Sequence, residues 1–231
     1  MEIPLIFEDD YIIAVNKPAN CIIHNSYYAR NIKSKTLLQL LTEQHNSTYY
    51  PIHRLDFKTS GLVLLAKHKE KIPTFQHLFI KNQIQKRYIA VVRGFVNESI
   101  EISSPVKHPE NKEYKDANTI CTPLGTKEID IAVHPYNSAR YSLVELIPKT
   151  GRIHQLRIHM NKISHPIVGD YKYGDRFHNR MFETKFKLFS MFLHATSLSF
   201  KHPVTKKKIN INASFSEDWH KLFKLYEWEI I

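Results

Sequence analysis

Six glycines in 231 residues set the tightest limit on what this chain can fold into. An average composition of about 7% would supply about 16. The Gly-rich loops that cradle phosphates have nothing to form from, and neither the P-loop nor the dinucleotide fingerprint occurs. The Gly-x-Ser-x-Gly elbow of a Ser-His-Asp hydrolase is missing as well. The glycines that do occur mark backbone under constraint, and Gly61, Gly94, Gly151, Gly169 and Gly174 all fall in or beside polar, arginine-bearing segments.

A hydrophobic share of 42% with 24% charged residues describes a folded globule with a sizeable core. No apolar run approaches the length of a membrane span, and Met1-Glu2-Ile3-Pro4 lacks the basic flank of a signal peptide. The chain therefore reads as unexported and cytoplasmic. Cys21 and Cys121 have no Cys-x-x-Cys spacing and read as free buried thiols. Among the histidines, His154 and His159 are five apart and His165 follows six later, which matches no ligand pair. The histidines are expected mostly at the surface or facing phosphate, and no metal is expected.

The formal charge of +11 points to an anionic partner, most simply nucleic acid. Lysine is the default cation, so the few arginines at Arg54, Arg87, Arg93, Arg140, Arg152 and Arg157 suggest sites where a planar fork is needed. The run Lys206-Lys207-Lys208 reads as a solvated face.

Along the chain, residues 5–16 read as a hairpin. After Lys17-Pro18 and a polar loop, Ser34 can cap a helix bearing Leu37, Leu38, Leu40 and Leu41. Residues 62–66 form a buried-looking strand, Ile72, Phe75, Leu78 and Phe79 suit an amphipathic helix, and 87–92 suit a strand. Residues 97–139, punctuated by four prolines, read as a polar insertion of short strands and loops. A strand at 141–147, a helix at 153–163, strands at 191–200 and 208–211, and a helix opening at Ser216 complete the pattern. The expected class is α+β, a mixed, mainly antiparallel sheet flanked by helices and loops.

Asp56 is the acid in an unusual setting, two residues after Arg54 in a polar loop closed by Gly61. Held ionised in a partly dry cleft, such a carboxylate serves as nucleophile or base. From the residues alone, a loop aspartate bonding its own backbone in an Asx turn is the favoured reading.

His53-Arg54-Leu55-Asp56 with Thr59-Ser60-Gly61, then Lys86-Arg87-Tyr88, then Gly151-Arg152-Ile153-His154-Gln155-Leu156-Arg157 with His165-Pro166-Ile167-Val168-Gly169-Asp170, resemble the signatures of RluA-family pseudouridine synthases in order. Leu193-His194-Ala195 and His202-Pro203 are similar to the family's closing strands. The likeness is greatest to members that modify uridine sixty-five of transfer RNA, and it implies the pseudouridine synthase fold. It implies one catalytic domain over 1–231, without the N-terminal S4 domain that some relatives carry. By the same resemblance Asp56 is the essential catalytic residue, with support from Arg157, which pairs with it, and Tyr88, which stacks on the target uracil. Arg54 enters the space of the flipped nucleotide, while Lys86, Arg87 and Arg152 contact RNA phosphates. Neither cofactor nor metal is implied, and the partner is RNA, engaged by a monomer. Phe57-Lys58 and Ile153 depart from the family pattern, which touches the detail of RNA contact. The competing readings are a synthase acting on ribosomal RNA and a non-catalytic RNA-binding module.

Overall fold

The computed structural model describes residues 2–25, 34–109 and 111–229. The expected polar loop before Ser34 lies partly outside them, at 26–33, as does residue 110 of the expected insertion. In chain order the elements begin with β1 (Leu5–Glu8), β2 (Ile12–Lys17), α1 (Leu37–His45), β3 (Tyr50–Pro51), β4 (Ser60–Ala66), α2 (Ile72–Ile80) and β5 (Gln85–Arg93). Then come β6 (Ile100–Ser103), β7 (Val106–Lys107), β8 (Tyr114–Lys115), β9 (Asn118–Ile129), β10 (Ala139–Pro148) and α3 (Gln155–Lys162). The last are α4 (Arg176–Met181), continued by a π-helical turn at Phe182–Phe186, then β11 (Leu193–Lys201), β12 (Lys208–Asn212) and α5 (Glu217–Tyr226). The fold is α+β, a mixed, mainly antiparallel sheet with flanking helices. Among the described residues no helix is long and apolar enough to cross a membrane.

The chain divides into two compact units, Met1–Lys86 with Ala195–Ser214, and Arg87–His194 with Phe215–Ile231. In the first, the hairpin of β1 and β2 turns at Asp9, whose Oδ1 accepts from the N–H groups of Tyr11 and Ile12. β2 pairs antiparallel with β4, from Ile12 opposite Ala66 to Lys17 opposite Gly61. Every residue of β4 is buried, as a strand covered on both faces requires. Gly61 can be only glycine: φ is +110°, and a Cβ there would stand 2.3 Å from the carbonyl oxygen of Ala195. That contact sets the start of β11 beside the start of β4. Its end, at Lys201, leads into His202, which lies against Asp9 and Tyr11 at the far end of β4. β11 therefore runs in the same direction as β4, which makes the sheet mixed.

The helix expected from Ser34 begins two residues later. Thr36 is the cap, in a reciprocal box with Gln39 at 3.2 and 2.9 Å, because glutamine at the third helical position can bond the Thr36 N–H in return.

In the second unit β10 lies between β5 and β9, and β6 extends the row beyond β9, all antiparallel. The stretch 97–139 holds short strands as expected, but also β9, twelve residues paired along the length of β10. Pro123 and the slip of register between Leu143 and Val144 fall together, so the proline sits at a bulge where no ladder donor is needed. This unit buries an aromatic cluster of Tyr141, Phe182, Phe192, Trp219 and Tyr226.

Most histidines lie outside the core, and four are buried: His159, His178, His194 and His202. His159 is satisfied by Thr119 Oγ1 at 3.0 Å and the Ser104 carbonyl at 2.9 Å. His178 bonds the Tyr141 hydroxyl at 2.7 Å. A neutral imidazole can donate and accept at once, which suits a core with polar atoms to join. Both thiols are free and buried, as expected.

Candidate active site

The loop 53–61 belongs to the first unit and carries Arg54 and Asp56. Its entry is pinned by His53, whose Nε2 accepts from the Leu64 N–H at 2.9 Å while the ring stacks on Phe79 at 4.5 Å. Burial, with the nearby Lys86 charge, pushes the imidazole down to about 3, against an opposing bond to the Arg54 backbone. His53 is thus a neutral strut at ordinary pH. Leu55 is buried, and the Asp56 carbonyl accepts from the Thr59 N–H at 3.1 Å, closing a tight turn before buried Thr59 and Ser60. The Asp56 side chain is half-buried and Arg54 is exposed.

Beneath this turn sits Lys17, with no exposed surface. Its Nζ donates to the carbonyls of Pro18 at 2.8 Å, Cys21 at 2.9 Å and Phe57 at 3.2 Å. Three acceptors match the three donors of an ammonium, the condition under which burying one is tolerable. Burial lowers its pKa to about 8, with Cys21 and the Asp56 carboxylate acting in the opposite sense. A buried cation therefore faces Asp56 and holds the carbonyl of the next residue, Phe57.

Lys86 ends the first unit, half-buried, and burial lowers its pKa. The other expected residues lie in the second unit. Tyr88 is half-buried on β5 opposite Leu146 of β10. Arg87 meets Glu145 at 3.4 Å, and Arg152 donates through Nε to the Asp116 carbonyl at 2.9 Å. Gln155, buried at the start of α3, accepts from Thr150 Oγ1 and the Arg152 N–H and donates to the Asn118 carbonyl and Thr119 Oγ1, which fixes the loop 149–152 against β9.

Arg157 is buried on α3 and makes a two-pronged bond to Asp170, Nε to Oδ2 at 2.7 Å and Nη2 to Oδ1 at 2.8 Å. Its guanidinium also lies 5.1 Å from the centre of the Tyr173 ring. Asp170 is fully buried and accepts further from the N–H groups of Lys172 and Tyr173. Burial alone would raise its pKa, but Arg157 and these N–H groups outweigh it and the net shift is downward. The pair is charged and geometrically fixed. Among the described residues no cluster of His, Cys, Asp and Glu could hold a metal ion.

The sequence model of a family described as RNA pseudouridylate synthase matches residues 11–162. The chain belongs to this family, in its RluA branch. The relatives called tRNA pseudouridine synthase C include one from Haemophilus ducreyi, 39% identical, with the match covering 99% of this chain and 97% of the relative. The one from Vibrio vulnificus is 36% identical over 97% and 95%, and the one from Haemophilus influenzae 38% over 97% and 98%. Two solved structures share the fold: human RNA pseudouridylate synthase domain containing 1, with TM-score 0.72 and 24% identity over 93% of this chain and 84% of that one, and domain containing 4, with 0.73 and 22% over 98% and 94%.

Two residues of this arrangement, Lys17 and Asp170, have no role that the sequence alone assigns: the first follows the 5–16 hairpin and the second ends the 165–170 motif. A lysine inside an apolar strand run, before a proline, was the available signal for the first. For the second it was an acid flanked by Gly169 and two tyrosines in a chain short of glycine.

Proposed function

We propose that this RNA pseudouridine synthase acts on transfer RNA and isomerises uridine sixty-five, with Asp56 as the catalytic carboxylate. The observation that carries the mechanism is the turn at Asp56, pinned by a buried ammonium and a neutral histidine. Near full-length identity of 34–39% to relatives called tRNA pseudouridine synthase C supports the choice of RNA. The reaction breaks the C1'–N1 bond of uridine, turns the base and rejoins it through C5, with no net oxidation or hydrolysis. It therefore asks for neither cofactor nor metal. In this reading Asp56 acts on the ribose as an ionised carboxylate, as nucleophile or base.

Arg157 supplies the opposite charge that keeps a carboxylate ionised, and Tyr88 supplies a ring for the unstacked uracil. Arg54, exposed on the same loop as Asp56, fills the place of the extruded nucleotide with a planar cation. Lys86, Arg87 and Arg152 contact phosphates. The enzyme works as a monomer in the cytoplasm, where its RNA is made. Mapping pseudouridine in transfer and ribosomal RNA from cells with and without the gene tests the reading. Loss of the single site at position sixty-five of transfer RNA is expected, and loss confined to ribosomal RNA would overturn the choice of substrate.

A further inference from the structure

A groove of 920 Å³ opens on the first unit between α2 and the turn that joins β11 to β12. His77 and Gln83 line it on the helix side and Lys201 and Lys206 on the turn side, over an apolar floor that includes Leu78 and Pro203. None of the lining residues is acidic. Such a surface complements a polyanion whose charged groups alternate with less polar rings, as phosphates alternate with riboses.

The turn is built as a rigid frame. His202 is fully buried, its Nδ1 accepts from the N–H groups of Val204 at 3.2 Å and Thr205 at 2.9 Å, and its Nε2 faces Asp9 Oδ2 at 3.2 Å. With Nδ1 accepting twice, the ring proton sits on Nε2. Its main chain bonds Lys207 and Lys206 in turn, His202 N–H to the Lys207 carbonyl at 2.8 Å and Lys206 N–H to the His202 carbonyl at 3.0 Å. Lys206 takes φ +63°, a conformation that glycine or asparagine would adopt with less strain, and its Nζ bonds the Pro203 carbonyl at 2.7 Å. The buried framework thus fixes where Lys206 stands in the lining of the groove, with its ammonium held beside the turn.

Strand β11 links the groove to the Asp56 loop. Ala195 abuts Gly61, the residue that closes that loop, and Lys201 lies six residues further along β11, about 20 Å at strand rise. We propose that this groove is a second RNA-binding site, which grips the sugar–phosphate backbone of the substrate away from the reacting uridine. The span corresponds to on the order of six phosphates along one strand of a stacked helix.

The inference rests on the reading of the enzyme as an RNA modifier acting on a structured substrate. The test compares wild type with Lys201→Glu/Lys206→Glu on a full-length transfer RNA transcript and on a hairpin that carries the same uridine with fewer than about six nucleotides on either side. On the transcript, RNA affinity should fall at least about tenfold and the slope of log affinity against log salt should flatten by roughly 1.4–1.8, the release expected for two phosphates. On the hairpin the two proteins should bind alike. Unchanged affinity on the transcript, or an equal loss on both RNAs, would overturn the groove as a remote site. So would displacement of a labelled transcript by polyglutamate that is as sensitive to the double substitution as displacement by RNA, since that marks a site for an acidic protein. A wild-type enzyme that forms no pseudouridine in either RNA fails at the functional reading instead.

Discussion

Asp56 and Arg157 are held in opposite ways. The loop of Asp56 is fixed through main-chain atoms: Lys17 bonds the Phe57 carbonyl, His53 accepts from the Leu64 N–H, and the Asp56 carbonyl closes its own turn on Thr59. Arg157 is fixed through its own guanidinium, forked onto Asp170 and laid over Tyr173. Asparagine keeps the shape of the Asp56 side chain and leaves these main-chain supports in place. Removing one half of the buried Arg157–Asp170 pair strands the other charge.

The largest effect follows at Asp56. Asp56→Asn should lower turnover by about 10²–10⁴, the span of a lost acid–base or nucleophilic group, while the unfolding free energy stays within about 0.5 kcal/mol of wild type. Single-turnover assays beside urea unfolding check both halves. Loss of stability comparable with the loss at Asp170 would break the contrast, because it would mean that the carboxylate holds up the loop.

Asp170→Ala comes next, and here stability carries the effect. It leaves a buried guanidinium without its carboxylate, which costs about 3–5 kcal/mol, and urea unfolding should show it directly. The pair Arg157→Met/Asp170→Leu should regain most of that stability and none of the activity. If the single variant unfolds like wild type, the fork does not hold Arg157 in place. If the double variant turns over normally, Arg157 has no part in the reaction.

The same contrast explains what could be read in the sequence. Arg157 and Asp170 are 13 residues apart in segments already marked by polar motif and glycine, so both were in view even though only one was assigned. Lys17 and Phe57 are 40 apart, and the contact depends on β2 pairing with β4 so that Lys17 lands opposite Gly61. No local pattern encodes that register. The hairpins, the buried strand β4, and the helices α2 and α5 were legible because their apolar spacing is local. β9 was not, because its alternation is interrupted by Pro123 at a bulge that only the pairing with β10 reveals. The cap of α1 slid from Ser34 to Thr36 for a similar reason, since the reciprocal bond from Gln39 decides between two hydroxyl residues. Which histidines are buried could not be read locally, because partners such as Ser104 and Tyr141 are distant in sequence.

Tyr88 sharpens the contrast from a third side, because its ring is placed by strand register, opposite Leu146. Tyr88→Ala should weaken RNA binding by roughly 1–3 kcal/mol, the loss of one stacked base, and Tyr88→Phe should retain most of it. Equal affinity and turnover in all three forms would remove the ring from substrate contact.

The smallest effect is the most discriminating, because it moves activity and stability in opposite directions. Lys17 releases its proton at about 8 in the folded chain and near the ordinary 10.5 when unfolded. Between those values the unfolded state binds more protons, so stability should rise with pH across that window as the cost of a buried charge lifts. Turnover should do the reverse. As pH climbs through about 8, the cation facing Asp56 disappears and the Phe57 carbonyl loses a charge-assisted donor, so activity should decline, by about tenfold at one unit above that pKa if the charged form alone is active. Turnover at saturating RNA from pH 7 to 9.5, with urea midpoints at both ends, reads the two trends together. Lys17→Arg keeps the charge over the whole range, so its turnover should lose the alkaline decline even if its level is lower throughout. A flat profile for wild type would reduce Lys17 to a scaffold for the turn. A decline shared by Lys17→Arg would move the titration to another group, and the main-chain support of Asp56 would then be independent of charge.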